Sequence, residues 1–108
     1  SLWDEIEERM MDRVHDKYPS VRCQAVIALS RLQDPRNPKD VVVAEYVHLL
    51  KVDSSKDVRK AVLSSIGLTK LTVTDVLNRT RDTNEEVRKH AFTIFATKVP
   101  VEKLTIDH

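Results

Sequence analysis

One motif occurs three times along the chain, and it constrains the fold more than any other feature of the sequence. Each copy consists of an aspartate, four further residues, Val-Arg, and apolar residues four and eight positions after the valine. The copies begin at Asp16, Asp53 and Asp82 and align without gaps, so the motif recurs after 37 and then 29 residues. These distances suit a unit of two helices, and such units stack into solenoids because each one buries its apolar face against its neighbours.

The apolar residues inside each copy have the spacing of an α-helix. Residues at i, i+4 and i+8 form one stripe along a helix, and the three stripes are Val21, Ala25 and Leu29; Val58, Val62 and Ile66; and Val87, Ala91 and Phe95. A second apolar face begins beside each stripe, at Val26, Leu63 and Phe92. The pattern therefore predicts helices that are buried on two sides, against their own hairpin partner and against the next repeat.

Residue types at the helix starts support this interpretation. Pro19 suits the first position of the motif helix in the first repeat, and Ser55 and Asn84 are good N-caps at the equivalent place in the other two. Tyr18 is a poor cap, so the first repeat departs from the pattern there. For the amphipathic segment before the third motif, Thr72 or Thr74 is the predicted cap.

An amphipathic segment precedes each motif and predicts the first helix of each hairpin. These segments span residues 2–15, 39–51 and 72–81. The sequence therefore predicts an all-α chain, a superhelical α-solenoid of about three hairpins plus the start of a fourth. The predicted repeats cover residues 2–33, 39–67 and 72–98, and the fourth begins at 101–108. Both ends lie inside the repeat pattern, so we expect the chain to be one part of a longer protein.

Composition excludes several other classes of protein. The chain has one glycine, Gly67, and 5% aromatic residues, whereas β-sandwiches and barrels need glycine-rich turns and aromatic strand residues. A single cysteine, Cys23, excludes a disulfide framework and a cysteine-based zinc site within the chain and favours cytosol or nucleus. No apolar run approaches the roughly 20 residues that span a bilayer, and no signal peptide is evident, so no membrane is expected.

The longer strings around the motifs resemble a known family. The motif itself, with its paired helices, resembles HEAT repeats in general. Residues 18–35 (YPSVRCQAVIALSRLQDP), 58–66 (VRKAVLSSI) and 78–91 (NRTRDTNEEVRKHA) resemble the N-terminal half of the G-type HEAT-repeat subunit of condensin, the chromosome-associated polypeptide G family. The resemblance extends over nearly the whole chain, although that subunit is far longer.

The resemblance implies partners and a function. HEAT subunits of condensin are held on a kleisin subunit, which joins them to the SMC ATPase subunits, and the G-type subunit with its kleisin segment holds double-stranded DNA without regard to sequence. The complex compacts chromosomes in mitosis, which implies a location in the nucleus and on chromosomes, with a cytoplasmic pool. The ATPase lies elsewhere, and one glycine cannot build a phosphate-binding loop. We therefore expect neither enzyme activity nor a cofactor.

Three arginines recur with the three motif aspartates. Arg22, Arg59 and Arg88 follow Asp16, Asp53 and Asp82 at a fixed distance. The guanidinium fork suits two parallel hydrogen bonds to a carboxylate. We therefore interpret these residues as a structural ladder of ion pairs between stacked repeats, rather than as a nucleic-acid surface.

Lysines on the motif helices are the candidates for DNA binding. Lys60 and Lys89 each follow the motif valine by two residues, which turns them away from the apolar stripe at about 100° per residue. Stacking would place them in register, although Cys23 takes the aligned place in the first repeat. Lys56 is a weaker third candidate, and we expect Gln24, Arg31 and His90 close to the same face. The alternative is that these lysines are merely solvated, as surface lysines often are.

Other polar residues do not form a convincing reactive site. Glu45 and His48 have the i, i+3 spacing of one element of a helical metal site, but such a site needs matching motifs on other helices, so no metal is expected. Cys23 would need a histidine base to act as a nucleophile, and a packed thiol is the simpler interpretation. Trp3 is interpreted as an anchor of the first helix or as a contact for an upstream repeat.

Two functions remain open on these grounds. The first is a DNA-binding scaffold of condensin. The second is a protein–protein solenoid of the phosphatase-scaffold or transport-receptor type, in which the same lysines are solvated. The total charge does not separate them, because 18 basic residues balance 17 acidic ones to a net charge of +1. The distribution does, since a DNA scaffold should gather lysines on its concave face, whereas a transport receptor commonly has an acidic groove.

Overall fold

A computed structural model describes residues 1–98, which form six α-helices and one short 3₁₀ helix. The α-helices are α1 (Leu2–Arg13), α2 (Pro19–Leu29), α3 (Val41–Val52), α4 (Lys56–Ser65), α5 (Val73–Asn78) and α6 (Glu85–Lys98). The 3₁₀ helix, Arg79–Arg81, directly follows α5. No strand occurs in this part of the chain, so the predicted all-α class is confirmed. The predicted start of a fourth repeat, residues 101–108, lies outside the described residues.

The helices pair as hairpins, and the hairpins stack. Helix α2 packs on α1, α4 on α3, and α6 on α5 and the 3₁₀ helix, while α4 lies between α2 and α6. The second helices are therefore neighbours, which confirms an α-solenoid and excludes a closed bundle. They pack against one another more extensively than the first helices do. The second helices therefore form one continuous layer of the stack, the more closely packed of its two layers.

Two of the predicted N-caps close the start of a second helix. Ser55 Oγ accepts a hydrogen bond from Val58 N at 3.4 Å, and Asn84 Oδ1 accepts one from Glu86 N at 2.8 Å. At the same place before α2, the Tyr18 side chain makes no capping bond, as expected. These caps satisfy backbone N–H groups that a helix leaves without partners in its first turn.

The prediction that the side chain of Thr72 or Thr74 caps α5, the first helix of the third hairpin, is wrong. Thr72 does precede α5, but its hydroxyl donates to Gly67 O at 2.7 Å and accepts from Thr69 N at 3.0 Å. Thr74 lies inside α5. The side chain of Thr72 is buried against the loop that joins the second and third repeats, and the loop carbonyl competes successfully for it.

The apolar stripes form one continuous core. Most residues of the stripes are at most 1% exposed, namely Ala25 and Leu29 of α2, Val58 and Val62 of α4, and Val87 and Ala91 of α6. On the second predicted face, Val26 and Leu63 are fully buried, but Phe92 is 61% exposed. Val26 and Leu63 each have a following hairpin to cover them, whereas within residues 1–98 no hairpin follows α6. The expectation for Phe92 is therefore wrong in this part of the chain.

A buried tyrosine joins the first two repeats through the core. Tyr46 on α3 is fully buried, and its hydroxyl donates a hydrogen bond to Val26 O on α2 at 2.6 Å. Burial and the nearby Asp40 carboxylate raise the pKa of Tyr46 far above its usual range. The phenol therefore stays protonated and keeps its role as a donor, as a buried hydroxyl must if its desolvation is to be compensated.

Hydrogen bonds join the loops that connect successive repeats, near the C-terminal ends of the second helices. Gln33, which follows α2, donates to Ser65 O at 2.6 Å, and its Oε1 accepts from Gly67 N at 2.8 Å. Thr69 Oγ1 donates to Pro35 O at 2.7 Å. A Cβ atom at Gly67 would lie 2.8 Å from Pro35 Cβ, so the close approach of these loops explains the single glycine.

Candidate nucleic-acid interface

Arginines of the motif bind aspartates of the following repeat. Arg22 Nε and Nη2 each donate to a carboxylate oxygen of Asp53 at 3.0 Å. Arg59 Nε and Nη2 donate to Asp82 at 2.9 and 3.0 Å. The remaining Nη1 group donates to a carbonyl of its own repeat, Asp16 O at 2.8 Å for Arg22 and Asp53 O at 2.6 Å for Arg59. Each guanidinium thus makes three hydrogen bonds, which join its own repeat to the following one.

The predicted ladder has two such rungs within residues 1–98, because its two outermost members differ. The Asp16 carboxylate accepts from Tyr18 N at 2.9 Å and meets no arginine there. Arg88 Nη1 donates to Asp82 O at 2.8 Å, as its counterparts do to their own repeats. No carboxylate among the described residues binds its other nitrogens. The arginine side chains of the two rungs are only 13% and 10% exposed, which leaves them little surface for a phosphate.

Asp82 is the most enclosed charge of the ladder. Burial opposes its ionisation, but hydrogen bonds from Arg59 and from Asn84 N–H, with the charges of Arg59 and Arg79, outweigh burial and lower the pKa of Asp82. Arg79 Nη1 contributes a bond of 3.0 Å and also donates to Leu50 O at 2.9 Å. Sequence reasoning missed Arg79, because arginine recurs at this position in only two of the three repeats, with Arg13 in the first and Leu50 in the second.

The three candidate DNA-binding lysines lie on second helices, and each is paired with a glutamate. Lys56 and Lys60 of α4 both reach Glu86 of α6, with Lys60 Nζ 3.5 Å from Glu86 Oε1. Lys89 Nζ lies 3.1 Å from Glu85 Oε1 on its own helix. All three remain accessible, with side chains 45%, 33% and 75% exposed for Lys56, Lys60 and Lys89. The layer of second helices therefore presents ammonium groups that are only partly neutralised.

The charges around Glu86 reinforce one another. The hydrogen bond and charge of Lys56, with the charge of Lys60, lower the pKa of Glu86. In return, the hydrogen bond and charge of Glu86 raise the pKa of Lys56. Glu86 therefore stays ionised at neutral pH and competes with any phosphate for the two lysines.

A second polar group lies farther along the same two helices. Ser64 Oγ on α4 is 2.7 Å from His90 Nε2 on α6. Burial and the charges of Lys60 and Lys98 lower the pKa of His90. Lys98 Nζ donates to Ile66 O at the end of α4, at 3.3 Å. Sequence reasoning placed His90 near the lysine face but missed Ser64 and Lys98, because their proximity depends on how α4 and α6 pack.

The remaining polar candidates do not assemble a reactive site. Burial and the charges of Asp57 and Asp53 raise the pKa of Cys23 against the opposing charge of Arg22, which disfavours a nucleophilic thiolate. Glu45 lies 3.4 Å from His15 Nε2. No group of three or more histidine, cysteine or carboxylate ligands able to hold a metal occurs in residues 1–98.

Other exposed positions match or correct the expectations. Gln24 on α2 and Arg31 just after it are both exposed, and their closeness to the candidate lysines stays a prediction. Trp3 is 64% exposed on α1, so it does not anchor that helix, and this part of its prediction is wrong. Across residues 1–98, no helix combines the length and apolar character needed to cross a bilayer.

Three curated relatives match the chain, although no protein-family model does. Condensin complex subunit 3 of Xenopus laevis is 45% identical over 105 residues, which cover 97% of this chain and 10% of that protein. The Homo sapiens protein of the same name is 44% identical over 105 residues, again 97% of this chain and 10% of the relative. The Schizosaccharomyces pombe protein is 33% identical over 99 residues, 91% of this chain and 11% of the relative.

A solved structure agrees with these relatives. The crystal structure of the S. pombe condensin Cnd3-Cnd2 subcomplex contains a chain that superposes with a TM-score of 0.81 at 34% identity, over 91% of this chain and 12% of that one. The chain thus spans about a tenth of the length of the relatives it matches. Over nearly its whole length, it is homologous to one short segment of condensin complex subunit 3.

Proposed function

We propose that these residues are part of the non-catalytic G-type HEAT-repeat subunit of condensin, which binds double-stranded DNA together with a kleisin during mitotic chromosome condensation. The observation that carries this proposal is the 45% identity over 97% of the chain to condensin complex subunit 3. On this proposal the protein acts in the nucleus and on chromosomes, with a cytoplasmic pool. The SMC ATPase subunits, joined through the kleisin, hydrolyse ATP, and this chain needs no cofactor.

The proposed protein partner is the kleisin subunit. The similar S. pombe chain belongs to a subcomplex of Cnd3 with Cnd2, and we assign the corresponding partner to the subunit that contains this chain. A solenoid suits this role because neighbouring repeats create an extended surface along which another chain can lie. The stacked hairpins would then act as a rigid support that holds DNA and kleisin close together.

The proposed DNA surface is the layer of second helices, where Lys56, Lys60 and Lys89 are exposed. A duplex carries one negative charge per about 1.7 Å of its axis, and neutralising these phosphates releases condensed counterions. A phosphate row can therefore displace the single carboxylates of Glu85 and Glu86 from their lysines. Binding of this kind is insensitive to base sequence, because it involves the backbone alone.

A protein–protein scaffold without DNA binding is the second candidate function. The pairing of each candidate lysine with Glu85 or Glu86 favours it, because paired charges attract a polyanion less than free ones. In that case the ion pairs would be part of a solvated surface, and surface pairs contribute little to stability.

A salt titration of DNA binding separates the two candidates. The protein to use is the whole subunit with its kleisin segment, and the variant is Lys60→Glu with Lys89→Glu. If the lysines bind phosphates, the variant binds duplexes of any sequence more weakly. Its plot of log affinity against log salt is also shallower, by about 0.9 for each phosphate that the variant no longer neutralises.

The matched control reverses two other exposed lysines in the loops between repeats, Lys39→Glu with Lys70→Glu. It makes the same change in net charge away from the second helices, so it should retain the wild-type salt slope. If the Lys60 and Lys89 variant also retains its affinity and slope while folded, the DNA surface proposed here is wrong, and the scaffold function is favoured.

A further inference from the structure

Ser64 of α4 and His90 of α6 meet where the two helices pack together, and the charges of Lys60 and Lys98 act on this pair. Their shared feature is a donor group on the exposed side of the seam between the two helices. We call them the seam cluster, which consists of Lys60, Ser64, His90 and Lys98. Ser64 Oγ and His90 Nε2 form its centre, 2.7 Å apart.

Positive charge is crowded around this centre. Both Lys60 and Lys98 act on the His90 imidazole and, together with burial, lower its pKa. Burial also lowers the pKa of Lys98. The hydrogen bond of its ammonium goes to the backbone carbonyl of Ile66 and not to a carboxylate. Glu86 approaches the cluster from one helical turn earlier and pairs with Lys60, but it also serves Lys56.

This arrangement suits a tetrahedral oxyanion. A phosphate group offers several acceptor oxygens, and the cluster offers two ammonium groups, an imidazole and a hydroxyl as donors. Without such a ligand, the cations repel one another and the imidazole is held in its neutral form. An incoming negative charge would reverse that balance, because an opposite charge nearby favours the protonated imidazole.

We propose that the seam cluster binds a phosphate of the DNA backbone, and that His90 gains a proton from solvent when it does so. This proposal rests on the DNA-binding function proposed above and assigns the residues at the centre of that surface.

Protonation would also reorient the hydrogen bond at the centre of the cluster. A neutral imidazole can accept from Ser64 through Nε2, whereas a protonated one carries hydrogen on both nitrogens. Nε2 of the imidazolium must then donate to Ser64 Oγ, which releases the hydroxyl hydrogen to donate to the phosphate. The proton taken up by His90 thus adds both a charge and a correctly directed donor.

Proton uptake has a defined effect on affinity. The pKa of His90 lies below the usual histidine value in the free protein and rises when a phosphate is bound. Between these two pKa values, binding takes up a proton, so affinity increases as pH falls, by at most about tenfold per pH unit. Histidine is the side chain whose ordinary pKa lies nearest this range, and the other described histidines, His15 and His48, belong to the first-helix side of the stack.

The test measures duplex binding by the whole subunit with its kleisin segment, by fluorescence anisotropy from pH 6 to pH 8 at constant ionic strength. The variant is His90→Gln, which can still hydrogen-bond Ser64 but cannot be charged, and the matched control is His48→Gln, an exposed histidine on α3. We expect affinity to rise toward pH 6 for wild type and control, and to rise distinctly less for His90→Gln. Equal pH dependence of His90→Gln and wild type would overturn the proposal.

A second variant keeps the test decisive if His90→Gln does not fold. Lys98→Gln removes one cation that lowers the pKa of His90, so the imidazole of the free protein is already more protonated. The proposal therefore expects a weaker dependence on pH and a salt slope shallower by about 0.9, and an unchanged pH dependence would contradict it. If these variants match wild type while the Lys60 and Lys89 variant loses affinity, the roles proposed for Ser64, His90 and Lys98 are wrong and the DNA surface proposed above stands. If the wild-type subunit does not bind the duplex, both proposals fail.

Discussion

Arg59 donates a hydrogen bond to each carboxylate oxygen of Asp82 across the boundary between the second and third repeats, at 2.9 and 3.0 Å. The two side chains are 10% and 1% exposed. Arg59→Met would leave the carboxylate buried with fewer partners, so the free energy of unfolding should fall by about 3 kcal/mol, as for other broken buried ion pairs. Urea unfolding of the 108-residue chain measures this decrease. Arg88→Met is the control, because no described carboxylate binds Arg88, and equal decreases in both variants would contradict the role of the rung.

The same ion pair predicts how stability depends on pH. The pKa of Asp82 is lower in the folded protein than in the unfolded chain. The stability it contributes is therefore complete above the unfolded value, about 3.9, and is lost as pH falls through the folded value. Asp82→Asn should make the decline in urea midpoint below about pH 5 shallower than in wild type, whatever its effect at neutral pH. A decline of unchanged steepness would show that Asp82 is not responsible.

Ala91 on α6 is fully buried in the hydrophobic core. Ala91→Leu would overpack this region, so we expect a decrease of roughly 1–3 kcal/mol in the free energy of unfolding. Ala96→Leu, on the exposed side of the same helix, is the matched control and should change the melting temperature little. If both variants melt like wild type, the core assignment of Ala91 is wrong.

A side chain at position 67 should clash with the ring of Pro35. The new Cβ of Gly67→Ala would approach the proline ring, with Pro35 Cβ at 2.8 Å, so the loops must separate at a cost of roughly 1–3 kcal/mol. The cost should shrink when the substitution is made together with Pro35→Gly, which removes the ring. A double-mutant cycle measures this coupling, and additive effects of the two substitutions would refute the close approach.

Glu86 should act as an internal competitor of DNA. Glu86→Gln removes the carboxylate that engages Lys56 and Lys60, so the whole subunit with its kleisin segment should bind duplex DNA more tightly at low salt. Glu8→Gln on α1 makes the same charge change on an exposed site of the first-helix layer. If both variants gain affinity equally, the effect reflects net charge rather than release of the two lysines.

The fold could be predicted because it is encoded in local, repeated patterns. Apolar stripes such as Val58, Val62 and Ile66 need only helical periodicity to be recognised, and the recurrence of three stripes implies stacking. The Thr72 cap could not be predicted in the same way. A hydroxyl next to a helix start favours capping on average, but here a carbonyl from another part of the loop binds it. Tertiary competition of this kind leaves no trace in a local pattern.

The candidate interface was less predictable than the fold, for a related reason. The lysines were recognisable as exposed, because exposure follows from the helix phase. Lys60 and Lys56 pair with Glu86, which lies 26 and 30 positions farther along the sequence. This pairing depends on the register between α4 and α6. Ser64 and His90 meet for the same reason. The resemblance to condensin identified the relatives, whereas only side-chain geometry could show which charges meet.

The boundaries between repeats are fastened at both ends of the second helices, but not with equal strength. At the first boundary, an ionic rung at one end is matched at the other by the bonds of Gln33 and by the hydrogen bond from Thr69 to Pro35. At the second boundary, the far end is held by Lys98 on the carbonyl of Ile66. If a phosphate draws that ammonium away, this end of the second boundary loses that bond, while the rung at the other end stays in place. Binding of a phosphate there would therefore loosen the boundary between the second and third repeats more than the boundary between the first and second.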